Sequence, residues 1–133
     1  MSELVIDAKV ENLEQVNDFI AENLMGFPMK LLMQIDLVVE EVFVNIANYA
    51  YKEKTGKAKV TCELDSENSL LTLVFEDKGV PFDPLSKEDP DVTATAEERE
   101  IGGLGIFLTK KLMDEVRYEN KDGKNILTLI KKL

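Results

Sequence analysis

The sequence has no histidine, no tryptophan and a single cysteine, Cys62. A lone cysteine cannot form an intrachain disulfide, and the absence of histidine excludes a Cys/His zinc site and a histidine-based nucleophilic dyad. We expect Cys62 to be a buried thiol of the core. The N-terminal segment MSELVIDAKV lacks the basic start and apolar stretch of a signal peptide, and no apolar run approaches membrane-spanning length. These absences predict a protein of a reducing, cytoplasmic compartment with no membrane partner.

Basic residues are also scarce. The chain has 16 Lys and Arg and 26 Asp and Glu, which give it a formal net charge of −10. Proteins that bind nucleic acids place Lys and Arg against phosphates, so this charge predicts no nucleic-acid partner. A nucleotide remains compatible with it, since backbone N–H groups can hold phosphates whatever the net charge. The 133 residues, of which 44% are hydrophobic, predict a single folded domain over residues 1–133.

Hydrophobic periodicity predicts an α+β chain. Alternating apolar positions predict strands, and apolar positions three and four residues apart predict helices. The strands are expected at residues 3–10, 58–64, 70–77, 116–120 and 126–131, and the helices at residues 13–24, 29–51 and 106–115. Asn12 is expected to cap the first helix. The segment 78–101 is rich in proline and acidic residues and has little periodicity, so we expect a long loop of the kind that often serves function.

The predicted long helix contains the segment EVFVN, in which Glu41 and Asn45 lie four residues apart and share one face. An asparagine oxygen is a hard ligand suited to Mg²⁺, and a carboxylate beside it can orient and deprotonate an attacking hydroxyl or water. By itself the pair is also typical of a solvated helix face. The neighbouring Glu40 leaves the choice of carboxylate open.

A second candidate site follows the apolar run LLTLVF, where the sequence reads DKGVPFDP. Asp77 ends the predicted strand, and Gly79 lets the chain bend away, which leaves the carboxylate directed at a cleft. Such a carboxylate can accept a hydrogen bond from an exocyclic amine such as adenine N6. The alternative is a turn that only closes the strand, although Pro81 and Pro84 stiffen this segment more than a hairpin needs.

Glycines precede the last predicted helix in the segment IGGLGIFL, which contains Gly102, Gly103 and Gly105. Free N–H groups at a helix start bind anions, and glycine lets a phosphate approach the backbone. A flexible hinge is the alternative interpretation. The segment matches neither the Walker A motif nor the dinucleotide-binding fingerprint, because Leu108 stands where GxGxxG requires its last glycine.

The last predicted strand, NILTLIKKL, carries a threonine between apolar neighbours, Thr128. A threonine in a strand is common and by itself favours a structural role. The order of the four features changes the interpretation: ExxxN on a helix, DxGxPFDP after a strand, a long loop into GGLGIFL, and a threonine in the last strand. This order resembles the successive motifs of the Bergerat ATPase superfamily, and the PFDP form and the short length look most like the anti-sigma factor serine kinases.

The resemblance implies both a fold and a site. The implied fold is a two-layer α/β sandwich, in which helices cover one face of a mixed, mostly antiparallel sheet and the nucleotide lies between helix and sheet. The implied cofactors are ATP and Mg²⁺, with Glu41 as the catalytic base and Asn45 as the metal ligand. The implied ATP-binding residues are Asn45, Asp77, Gly79, Phe82, Gly102, Gly103, Leu104, Gly105 and Thr128.

The resemblance also assigns a role to each part of this set. Asp77 accepts the adenine amino group, and Gly79 permits the close approach of the base. Thr128 supports the adenine through a hydrogen bond or a bridging water. The glycines of the GGLG segment lie in a lid over the phosphates, at about residues 85–102. We expect the lid to be disordered between about residues 86 and 100 when no nucleotide is bound.

The function implied by the resemblance is ATP-dependent phosphorylation of a serine on a small anti-sigma antagonist protein of the STAS type. The same resemblance implies a sigma factor as a further partner, and a homodimer. Two alternatives stay open from the sequence alone. The first is a non-catalytic module that binds ATP and sequesters a sigma factor or another regulator. The second is a detached histidine-kinase catalytic domain, which needs a separate histidine-bearing partner.

Overall fold

The computed structural model describes residues 1–51, 56–81, 83–86 and 103–133. Within these residues all eight predicted elements are present, and the last helix begins at Gly103, three residues earlier than predicted. The strands are β1 (Ser2–Asp7), β2 (Lys57–Asp65), β3 (Leu70–Asp77), β4 (Glu115–Lys121) and β5 (Lys124–Lys132). The α-helices are α1 (Leu13–Asn23), α2 (Met29–Asn45) and α3 (Gly103–Leu112).

The strands form one sheet in the order β1-β2-β3-β5-β4, and each neighbouring pair is antiparallel. The prediction of a mixed sheet is therefore wrong for the described strands. The physical reason lies in the connections. A tight turn through Asp122 and Gly123, both with positive φ, joins β4 to β5 as a hairpin. This hairpin enters the sheet with β5 beside β3, so β5 runs against both of its neighbours.

The core lies between the helices and one face of the sheet. Alternate residues of the three central strands are buried on this face, namely Ala58, Val60, Cys62, Leu71, Leu73, Phe75, Leu127 and Leu129. The helices contribute the buried residues Val16, Ile20, Ile35, Val39 and Phe43 to the same cluster. This arrangement confirms the two-layer α/β sandwich with helices on one face. In the described part of the chain, no helix combines the length and the hydrophobicity needed to cross a bilayer.

The start of α1 differs from the prediction. Residues Val10–Asn12 form a 3₁₀ turn directly before the helix, and Asn12 makes no capping hydrogen bond with its side chain. The Asn12 amide instead donates a hydrogen bond to the carbonyl oxygen of Asp7 at 2.9 Å. Asn12 thus lies at the predicted N-cap position but does not cap the helix with its side chain, because the turn already carries the chain into helical geometry and leaves the amide to fix the end of β1.

The single cysteine gives a direct test of this core. Cys62 is 2% exposed, and burial raises the pKa of its thiol to about 11. Thiol reagents attack the thiolate, which is scarce when the pKa lies well above the working pH. We therefore expect Ellman's reagent at pH 8 to label Cys62 very slowly in the native protein and completely in 6 M guanidinium chloride. Rapid labelling of the native protein would contradict the placement of Cys62 in the core.

Candidate functional site

The long helix ends in a widened turn. Its α-helical part stops at Asn45, and residues Ile46–Ala50 form a π-helical turn. Such turns are rare and are found often at functional sites. The carbonyl oxygen of Ala50 accepts a hydrogen bond from the N–H of Val80 at 2.7 Å. The end of this helix is thereby fixed to the turn that follows β3.

Gly79 makes this contact possible. A Cβ atom at position 79 would lie 2.1 Å from the carbonyl oxygen of Ala50 and 2.6 Å from its Cα. These distances are far below van der Waals contact, and the atoms belong to backbone that cannot move aside cheaply. The sequence predicted that Gly79 permits the approach of a base. The structure shows that it permits the approach of the helix end.

The carboxylate of Asp77 is buried beside this turn, with 6% of the residue exposed. Its Oδ1 atom accepts two hydrogen bonds, one from the N–H of Gly79 at 2.9 Å and one from Nδ2 of Asn125 at 2.9 Å. Asp77 and Asn125 are direct partners in the β3–β5 register. Within the described residues, Oδ2 has no hydrogen-bond partner. The protein therefore holds this carboxylate through one of its two oxygens.

Asn125 is a site residue that the sequence analysis missed. Its Nδ2 also donates to the carbonyl oxygen of Val80 at 2.9 Å. Its Oδ1 accepts hydrogen bonds from the hydroxyl of Tyr118 and from Nδ2 of Asn120, the latter at 3.1 Å. Two donors and two acceptor positions are all that an asparagine amide has, so this group is saturated. The sequence did contain a signal for it. Asn125 is a polar residue that falls on the same face of the strand as the apolar residues Leu127 and Leu129, which are buried.

Thr128 does not lie at this site. Side chains alternate between the two faces of a strand, and Thr128 is three residues from Asn125. Asn125 lies on the buried face that Asp77 shares, whereas Thr128 pairs with Val74 and Arg117 on the opposite face. The placement contradicts the prediction that Thr128 supports a base beside Asp77. Asn125 occupies that place.

The structure brings Glu41 and Asn45 into contact on α2. Asn45 donates a hydrogen bond from Nδ2 to Oε1 of Glu41 at 3.1 Å. The carboxyl group of Glu41 also packs on α3, where a Cβ atom at Gly105 would lie 1.9 Å from its Cδ. Burial raises the pKa of Glu41 above its ordinary value; the nearby Glu40 adds to this shift, and the hydrogen bond from Asn45 opposes it. Glu40 itself is exposed, which favours Glu41 as the candidate base.

Asn45 and Asn125 line one cleft, which lies between the end of α2, the start of α3 and the sheet. Glu41 lies in the wall of a neighbouring cavity together with Gly105, and Asp77 lies in the wall of another together with Tyr51 and Lys124. Asn45 lies in the wall of the cleft on the helix side, and Asn125 lies in its wall on the sheet side. Most of the wall between them is apolar, as with Ile46, Val80 and Leu127. Asp77 lies one hydrogen bond behind Asn125. Concave, mainly apolar pockets with a few placed polar groups are typical of small-molecule sites.

The sequence and this geometry agree with a known family. The model of the histidine kinase-like ATPase domain matches residues 6–131 of this chain. The chain belongs to this family. Its similar relatives include the serine-protein kinase RsbW of Bacillus cereus, with 30% identity over 94% of this chain and 81% of the relative. The serine-protein kinase RsbW of Bacillus anthracis is 32% identical over the same shares.

Solved structures resemble the fold. A histidine kinase domain from an Erythrobacter litoralis blue-light activated histidine kinase has a TM-score of 0.61 and 19% identity, over 93% of this chain and 60% of that chain. A second structure of that kinase has a TM-score of 0.63 over 92% of this chain and 41% of that chain. The chain thus spans less than two thirds of these solved chains. At this identity, the likeness shows that the histidine kinase-like ATPase fold is shared.

Several predicted members of the site lie outside the described residues. These are Phe82 and residues 87–102, a range that includes Gly102, most of the predicted lid and most of the segment for which disorder was predicted. Gly103 and Leu104 are the first residues of α3, and Ile106 in the same helix lines the cleft. Gly105 lies against Glu41, so the described part of the glycine-rich segment belongs to a helix that packs on the candidate base.

The two glycines of this ATPase-family site predict a contrast in stability. Gly79→Ala forces a Cβ atom into the backbone of Ala50, and we expect it to lower the free energy of unfolding by about 1–3 kcal/mol. Gly105→Ala displaces only the end of the Glu41 side chain, which costs its hydrogen bond with Asn45 but is offset by better helix propensity, so we expect stability to change by less than about 1 kcal/mol. Urea denaturation of both variants measures the difference. Equal losses in the two would contradict the assigned contacts.

Proposed function

We propose that the cleft binds ATP and that the protein is an ATP-dependent serine protein kinase. The observation that carries the proposal is the arrangement of the cleft. Asn45, which is hydrogen-bonded to Glu41, lines it on the helix side, and Asn125, which is hydrogen-bonded to Asp77, lines it on the sheet side. A nucleotide bound in the cleft would have a base-recognition group at one end and a catalytic pair at the other.

The sheet side suits the purine. The free Oδ2 of Asp77 is an acceptor, and the adenine amino group is a donor that would satisfy it. A hydrogen bond to an ionised carboxylate is stronger than one between neutral groups, so its pairing with a donor of the ligand is favourable. The apolar wall, which includes Val80 and Leu127, suits the faces of a flat heterocycle. Asn125 contributes to recognition of the base only through Asp77, because its own hydrogen-bonding capacity is used within the protein.

The helix side suits the phosphates and Mg²⁺. Asn45 uses its nitrogen on Glu41, which leaves its side-chain oxygen as a hard ligand. The described residues contain no group of three or more acidic, histidine or cysteine side chains that is arranged to hold a metal ion. This fits Mg²⁺, which is commonly bound through few protein ligands together with substrate phosphates. When bound, Mg²⁺ neutralises charge on the phosphates, and Asn45 is the residue that would hold it.

Glu41 is the proposed catalytic base. Its carboxylate accepts the proton of the substrate serine while the serine oxygen bonds to the terminal phosphorus and the bond to the ADP oxygen breaks. The hydrogen bond from Asn45 and the contact with Gly105 fix the position of this carboxylate. Phosphoryl transfer depends mainly on positioning and charge stabilisation, so a small set of fixed groups is sufficient.

The protein substrate is proposed from the resemblance described above. It is a small anti-sigma antagonist of the STAS type, with a sigma factor as the second partner and a homodimer as the assembly. The similarity to serine-protein kinases RsbW supports serine as the acceptor. The cytoplasmic location expected from the sequence stays a prediction.

Adjacent carboxylates provide a matched test of catalysis. We expect Glu41→Gln to retain ATP binding and to lower phosphorylation of the antagonist protein by at least about 100-fold, the scale of a lost general base. Glu40→Gln removes an exposed carboxylate one residue away and should retain most of the activity. The measurement is phosphoserine formation with Mg-ATP, together with ATP affinity by calorimetry.

The result also separates a kinase from a non-catalytic module. Equal activity of the two variants would remove Glu41 from its proposed role. ATP binding by the unmodified protein without phosphorylation of any antagonist protein would favour the module that only binds its partner. Absence of ATP binding would contradict the proposed site as a whole.

A further inference from the structure

Two cavities lie beside the contact between α2 and α3. The cleft assigned to the nucleotide is lined by Asn45 of α2 and Ile106 of α3. The second cavity, the α2–α3 groove, has a volume of about 220 Å³ and is lined by Glu41 of α2 and Gly105 of α3. Among the described residues, Glu41 lines the groove and not the cleft. The candidate base therefore borders a cavity other than the one proposed to hold ATP.

The hydrogen bond between Asn45 and Glu41 connects the two cavities, because one residue lines the cleft and the other lines the groove. We propose that the α2–α3 groove receives the serine-bearing segment of the protein substrate. Leu37 and Leu108 in its walls then bind an aliphatic side chain close to that serine. This inference rests on the proposed kinase function and assigns the acceptor side of its site.

The direction from which the serine approaches follows from the position of the base. A general base must lie within hydrogen-bond distance of the proton that it accepts. The carboxyl group of Glu41 occupies the space beside Gly105, where a Cβ atom would lie 1.9 Å from its Cδ. The lack of a side chain at Gly105 thus leaves room for this carboxyl group in the wall of the groove. A hydroxyl that donates its proton to Glu41 can reach it through the groove while the nucleotide occupies the cleft.

The remaining wall of the groove suits an aliphatic side chain. Leu37 on α2 is 56% exposed, and Leu108 on α3 is 43% exposed. Val44 and Leu112 are partly buried and extend the same apolar wall. Removal of this apolar surface from water favours an apolar occupant, whereas a charged side chain placed against it would lose hydration without a partner.

Helical spacing places the aliphatic residue relative to the serine. Leu37 precedes Glu41 by four residues, which is about 6 Å along the helix axis. Leu108 follows Gly105 by three residues, which is about 4.5 Å. An extended peptide advances by about 3.3 Å per residue. The aliphatic side chain that lies between the two leucines therefore belongs to a residue one or two positions from the serine.

Steady-state kinetics of Leu37→Gln and Leu108→Gln test the groove. The probe is the STAS-type antagonist protein that the unmodified protein phosphorylates with Mg-ATP. We expect each variant to raise the KM for this protein by about 10-fold, the scale of one lost apolar contact. The values of kcat and of the KM for Mg-ATP should stay nearly unchanged, because the contact holds the protein substrate throughout the reaction.

Two further variants serve as controls. Leu64→Gln makes the same substitution at a leucine of β2 that is 39% exposed and lies outside the groove, and it should leave the KM unchanged. Leu37→Met keeps an apolar side chain of similar size and should also retain the original KM. An unchanged KM in both groove variants would overturn the inference.

A double-mutant cycle tests the contact itself. Mass spectrometry locates the phosphorylated serine, and the aliphatic residue within two positions of it is replaced by Gln. This change should raise the KM by a similar factor, and its combination with Leu37→Gln should add little, because both changes remove the same contact. Factors that multiply, or a serine with no aliphatic residue within two positions, would overturn the inference.

The outcomes separate this inference from the proposed function. Phosphorylation with an unchanged KM in the groove variants overturns the inference and leaves the kinase function in place. A loss confined to ATP affinity would assign the groove to the nucleotide, and a change in oligomeric state by sedimentation would assign it to a second copy of the chain. Either result also overturns the inference. Failure of the unmodified protein to phosphorylate any antagonist protein overturns both.

Discussion

The contact between the Ala50 carbonyl and the N–H of Val80 is the constraint on which the site depends. Asn45 lies one turn before Ala50 on the helix side, and Asp77 lies three residues before Val80 on the sheet side. A hydrogen bond of 2.7 Å between these segments fixes the separation of the two halves of the cleft. Only a residue without a Cβ atom fits between them, because any side chain at Gly79 would overlap the backbone of Ala50. The π-helical turn at Ile46–Ala50 is the local distortion that accompanies this contact.

Each end of the cleft follows the same design, in which the protein saturates one part of a polar group and leaves another part free. Asp77 commits Oδ1 and leaves Oδ2, and Asn45 commits its nitrogen and leaves its oxygen. The committed atoms fix the side chains before a ligand arrives, which reduces the ordering that binding must impose. Asn125 is the extreme case, because its whole amide is used within the protein. In the proposed site, Asn125 contributes geometry and Asp77 contributes the contact with the ligand.

Much of the fold and part of the site can be predicted from the sequence, because they depend on local periodicity. The features that were missed depend on contacts between distant residues. Alternation and helical periodicity report burial directly, so the strands around Leu73 and Leu129 and the helix around Val39 were predicted correctly. Glu41 and Asn45 share a face because helical geometry is local. The assignment of Thr128 failed because it came from the resemblance, whereas strand alternation puts Thr128 on the face opposite to the buried Leu127 and Leu129. The roles of Gly79 and Gly105 depend on contacts with Ala50 and Glu41, which lie far away in sequence and which no local pattern contains.

The central claim is that one ligand reaches Asp77 and Asn45 at the same time. A crystal structure with Mg²⁺ and a non-hydrolysable ATP analogue measures this directly. The account predicts that adenine N6 lies within hydrogen-bond distance of Oδ2 of Asp77, at about 2.7–3.2 Å, with the phosphates on the side of Asn45. An analogue bound elsewhere, or bound in the cleft with its base away from Asp77, would contradict it.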